Sequence, residues 1–124
     1  MKLRLHRNTI RLRLDARDLR RLGRGESLSH AIVFGPGEDQ RFTYELHVDE
    51  DCGEITAELA DRAMIVRMPR AVAREWVAGE HDGIEGGQFV DDERMLGVLI
   101  EKDAGCGRGR GHGGPDDGGD AHAD

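Results

Sequence analysis

The chain has 124 residues, of which 37% are hydrophobic and 4% aromatic, so it fits one compact domain with an aliphatic core of modest volume and argues against a large catalytic cavity. The formal charge of −7 argues against a general nucleic-acid binder, and no apolar run approaches the roughly 18 residues that a membrane helix needs. Charge is nonetheless uneven: residues 1–24 carry +7 and the remainder −14, which fits either an anionic partner for the basic end or electrostatic pairing within the fold.

In chain order, Lys2 to His6 and Thr9 to Leu14 alternate polar and apolar residues, the pattern of half-buried strands, and His6-Arg7-Asn8 between them predicts a hairpin turn. Leu3, Leu5, Ile10, Leu12 and Leu14 then face the core, and Lys2, Arg4, Arg11 and Arg13 the opposite side. Asp15 is the expected N-cap of a short helix, with Asp18 favourable in its first turn, Leu19 and Leu22 as its buried stripe, and Gly23 and Gly25 as its stop. Two strands follow, Ser27–Phe34 and Arg41–Val48, around the turn residues Gly35-Pro36-Gly37-Glu38-Asp39. Glu54–Leu59 and Ala63–Met68 predict a second hairpin, Pro69 suits the first turn of a second helix, and Ala73, Trp76 and Val77 line that helix's buried face as far as Gly79. Gly83–Val90 and Met95–Lys102 are the last strands, with Asp91-Asp92-Glu93 as a solvated tip. After Asp103 the sequence is rich in Gly, Asp and His and has no aromatic or β-branched residue, so residues 104–124 are expected to be disordered.

The order of elements repeats. Shifted by 54 residues without a gap, Leu5, Arg13, Arg20, Gly25, Glu26, Asp49 and Cys52 fall on identical residues, Leu22 falls on Trp76, and Phe42, Tyr44 and Leu46 fall on Leu96, Val98 and Ile100. The expected fold class is therefore α+β, mostly antiparallel β. Two tandem ββαββ units (repeats 2–53 and 56–107) are related by a pseudo-twofold axis and form one domain over residues 1–103, with the short helices covering the sheet.

The segments Lys2-Leu3-Arg4-Leu5, Asn8-Thr9-Ile10-Arg11-Leu12-Arg13-Leu14, Phe34-Gly35-Pro36-Gly37, Phe42-Thr43-Tyr44-Glu45-Leu46, Ile84-Glu85-Gly86 and Ile100-Glu101-Lys102-Asp103 resemble those of a family of small uncharacterised bacterial proteins. In that family the terminal strand is followed by an aromatic residue and then a cysteine. Here Cys106 stands at the cysteine's place, whereas Ala104 replaces the aromatic. The resemblance implies no known reaction.

Three sets of residues are candidates for chemistry. Lys2, Arg4, Arg11 and Arg13 form a basic strand face suited to phosphate, which would make the protein a weak nucleic-acid binder; no aromatic residue alternates with them to stack on bases, and cross-strand pairing with Glu45, Glu58, Glu101 or the acidic tail is the plainer reading. The tail carboxylates Asp116, Asp117, Asp120 and Asp124 match that face in charge. Cys52 and Cys106, with His112 and His122, have the donor types of a zinc or thiol site but not a recognisable spacing. The histidines His6, His30, His47 and His81 are scattered, and neither a nucleophile elbow nor a phosphate-binding glycine loop occurs. Trp76 reads as core.

The N-terminus forms no signal-peptide apolar region, so a cytoplasmic location with reduced thiols is expected. The reading that fits best is a small non-catalytic binding or accessory protein of unknown partner or ligand. A metal- or thiol-dependent factor using Cys106 and Cys52 is the alternative.

Overall fold

A computed structural model of the chain describes residues 1–103. The expected tail 104–124, and with it Cys106, His112 and His122, lies outside the described residues. Unit one comprises strands β1 (Lys2–His6) and β2 (Thr9–Leu14), helix α1 (Ala16–Gly23), and strands β3 (Leu28–Val33) and β4 (Arg41–Asp49). Unit two comprises β5 (Thr56–Ala60), β6 (Ala63–Pro69), α2 (Arg70–Ala78), β7 (Gly83–Phe89) and β8 (Met95–Lys102).

The units exchange hairpins. One sheet runs β1-β2-β8-β7 and the other β3-β4-β6-β5, so each sheet joins the first hairpin of one unit to the second hairpin of the other. The hairpins are antiparallel, whereas the two central pairings, β2 with β8 and β4 with β6, are parallel. Registers follow the pseudo-twofold: Leu12 lies beside Ile100 as Val66 lies beside Leu46, and Leu3 opposite Leu12 as Ala57 opposite Val66. Period-2 alternation dictates the consequence. Leu12, Leu14, Leu46, Val66, Met68 and Ile100 meet between the sheets with no exposed surface, each contributing about 1.5–3 kcal/mol of burial.

The ungapped repeat needs one correction. Leu28 pairs with Leu46 and Ile84 with Ile100, so β3 and β7 correspond by 56 residues although their partners β4 and β8 correspond by 54. The difference is absorbed at the hairpin tips. Residues 34–40 link β3 to β4 through a 3-10 turn, whereas the tip at 90–94 is shorter, with the Asp91 carboxylate accepting from the backbone N–H groups of Glu93 and Arg94, both at 2.9 Å.

The helices pack against each other and against strands of both sheets, α1 on β2 and β3 and α2 on β6 and β4. Asp15 caps α1 as its sequence suggests, in a reciprocal box: Asp18 N–H donates to the Asp15 carboxylate at 2.9 Å and Asp15 N–H to that of Asp18 at 3.1 Å. Asp18, expected as a favourable acid in the first turn, is also buried, with the Met1 ammonium 2.8 Å from its Oδ2. Pro69 stands at the N-cap position, just outside α2 rather than in its first turn, and makes no side-chain capping bond. At the other end of α2, Lys102 Nζ donates to Gly79 O at 2.9 Å and lies 5.3 Å from the centre of the buried Trp76 ring. Trp76 is core, as expected.

Candidate functional site: an apolar mouth between the sheets

The four hairpin turns gather at the end remote from the helices. Asn8 in the β1–β2 turn donates its side-chain amide to Met95 O at 2.8 Å and accepts Gly97 N–H at 3.0 Å, which ties that turn to the tip of the β7–β8 hairpin. On the other sheet Arg62 O accepts Thr43 N–H at 3.0 Å and joins the β5–β6 turn to the start of β4. Arg7, Asp61 and Arg62 turn the chain with left-handed backbone, which two-residue hairpins require.

Between these turns the sheets part around a groove of about 730 Å³. Its apolar lining includes three pairs related by the 54-residue shift, Leu5 with Leu59, Ile10 with Met64 and Phe42 with Leu96, together with Ala57 and Val90, so it straddles the pseudo-twofold axis. Arg7, Asn8, Thr9, Glu58 and Gln88 supply its polar groups. Leu5, Ile32, Val33, Phe34, Leu59, Phe89, Val90 and Met95 are the exposed large hydrophobic residues among those described, and every one belongs to a strand end or tip at this end of the molecule. Such concentration differs from the scattered apolar exposure usual on a protein surface.

Gln88 closes one side of the groove. Its side-chain carbonyl accepts Ala57 N–H at 3.0 Å and its amide donates to Ala57 O at 2.8 Å, linking β7 of one sheet to β5 of the other. Sequence reading missed both the groove and this clamp. Alternation marked Leu5 and Ile10 as inward residues, but not that the sheets separate where those residues stand.

The four basic residues singled out from sequence share the outer face of the β1-β2-β8-β7 sheet, Lys2 opposite Arg13 and Arg4 opposite Arg11. Glu101 stands among them, accepting from Arg11 Nη2 at 2.9 Å and Arg13 Nη2 at 3.2 Å, and Asp103 lies 3.9 Å from Lys2 Nζ. The corresponding face of the other sheet carries Glu58 ion-paired to Arg67, and a hydrogen-bonded row in which Ser27 Oγ meets His47 Nδ1 at 3.1 Å and His47 Nε2 meets Glu45 Oε1 at 2.7 Å. Those residue types suit nucleophilic catalysis, but they lie along the outer surface of β3 and β4 rather than in the groove.

Cys52 follows β4, with its thiol 3.7 Å from Asp49 O. Burial, reinforced by the Asp49 carboxylate, pushes that thiol up, which works against a thiolate ligand or nucleophile. Among the described residues no three His, Cys, Asp or Glu side chains are grouped to hold a metal ion. No helix among them is long and apolar enough to cross a membrane.

Fold and groove together define a small two-sheet α+β protein with paired hairpins and one apolar end. The chain belongs to a family of unknown function, DUF7009, which matches residues 1–115. No curated protein and no solved structure matches it.

Proposed function

We propose that the protein is a non-catalytic, cytoplasmic binding protein whose groove takes an aliphatic chain ending in an acidic head. The observation that carries this reading is an apolar groove lined by Ile10, Met64, Phe42 and Leu96 and by three exposed large hydrophobic residues, Leu5, Leu59 and Val90. A volume of about 730 Å³ lies within the range of small-ligand sites, with an apolar floor and few polar groups to fix orientation. The head group follows from charge. Arg7 is the cation lining the groove, and the one acid there, Glu58, is bound to Arg67.

Calorimetric titration with decanoate, and with decanol as its uncharged counterpart, tests the proposal. Decanoate should bind the wild type, Leu59→Lys should abolish binding, and Arg7→Gln should weaken decanoate roughly tenfold while leaving decanol unchanged, the share expected of one charge-assisted contact. Equal binding by wild type and Leu59→Lys, or none by either, would refute it.

A further inference from the structure

We propose that β3 is an open sheet edge on which a second copy of this chain adds its own β3, antiparallel, about a twofold axis through Ala31.

The four edge strands are β1, β7, β3 and β5. An edge strand carries unpaired backbone N–H and C=O groups, and proteins protect it with charge or cover. Three of these edges are so protected: β1 carries Lys2, Arg4 and His6, and β5 and β7 are tied together by Gln88. At β3 neither device is present. Residues 27–37 contain no Asp, Glu, Lys or Arg, in a chain where 35% of residues are charged. All of β3 beyond Leu28 is exposed, with Ile32 at 43% and Val33 at 59%, and Phe34 just past its end at 72%.

The asymmetry has a single-residue origin. Gln88 lies beside Leu96 as Ile32 lies beside Phe42, so Ile32 holds in unit one the position that Gln88 holds in unit two. An isoleucine cannot reproduce the amide's two backbone bonds. One seam is therefore clamped, and the strand at the other keeps a free edge.

A second copy is the occupant whose own uncharged strand matches this edge. At −7, two copies repel over most orientations, and an uncharged strand offers approach without placing like charges opposite each other. Antiparallel pairing about an axis perpendicular to the sheet keeps inner faces on one side only if residues of like face meet. With Ala31 opposite itself, Ser29 meets Val33, His30 meets Ile32 and Leu28 meets Phe34, and the smallest side chain of the strand sits on the axis. The two four-stranded sheets thereby become one of eight strands.

Sedimentation equilibrium over a concentration series is the test, independent of the groove reading. The wild type should dimerise. Ala31→Lys places two ammonium groups across the axis and should weaken association roughly a hundredfold, whereas the uncharged strand-former Ala31→Thr and the groove variant Leu59→Lys should both remain dimeric. A wild type that stays monomeric, a dimer that survives Ala31→Lys, or one that dissolves in Leu59→Lys overturns the proposal. Should Ala31→Lys fail to fold, Ala31→Cys in a Cys52→Ser, Cys106→Ser background replaces it. Diamide oxidation should then join two chains, and cross-linking no greater than that of a Glu85→Cys control would overturn the pairing.

Discussion

Gln88 and Ala57 are joined by two hydrogen bonds, the side-chain amide of one satisfying both backbone groups of the other. This pair does what a further strand ladder would do at the seam between the sheets, with a single residue. Replacing Gln88 with Leu keeps much of the volume but leaves a donor and an acceptor of Ala57 unmet. It should lower unfolding free energy by about 1–3 kcal/mol in urea melts and speed amide exchange along β5.

Asp18 gives stability a dependence on pH. Burial alone would raise its carboxyl, but the Met1 ammonium and the bonds with Asp15 outweigh burial and hold it below the ordinary carboxylate range. A group depressed on folding contributes stability above its unfolded pKa, and that contribution is lost as pH falls through the folded value. The wild type should therefore lose stability below about pH 4. Asp18→Asn should cost about 2–4 kcal/mol at neutral pH and flatten that acid limb, as read by chemical denaturation at a series of pH values.

Gly86 is required by contact. A β-carbon there would lie 2.8 Å from Ile55 Cβ and 3.1 Å from Ile55 O, and the backbone oxygen cannot turn aside. Gly86→Ala should destabilise by about 1–3 kcal/mol. Gly53→Ala, with no atom within 4 Å of the added carbon, should stay within about 0.5 kcal/mol of wild type.

Glu101 bears on the basic outer face. Glu101→Gln removes the carboxylate shared by Arg11 and Arg13, pairs that are only partly buried, so stability should change by less than about 1 kcal/mol. Wild type should give no gel shift with a short single-stranded oligonucleotide at low salt, and the variant a weak, salt-sensitive one.

Alternation and turn chemistry made the elements legible: Leu12 and Leu14, Val66 and Met68 are core because strands alternate, and Asp15 is a cap because of its place before α1. The pairing of hairpins across units was not legible, since an antiparallel hairpin reads the same whichever sheet receives it, and the central parallel pairings are contacts of long sequence separation. Nor was the slip of β7, because a two-residue shift preserves the facing of every side chain and leaves the period undisturbed. The burial of Asp18 was not legible because its partner, the Met1 ammonium, is a terminal group and belongs to no side-chain pattern. The groove escaped notice for a related reason: Leu5 and Leu59 carry the same inward signal as Leu12, and only the parting of the sheets leaves them exposed at 50% and 75%.

The groove reading is tested most directly by following backbone amide shifts of the full chain by NMR as decanoate is added. Saturable shifts should concentrate at Leu5–Ile10, Leu59, Phe42, Gln88 and Leu96, with α1 and α2 unmoved. Shifts centred on the helices, or the absence of any saturable shift, would contradict the account.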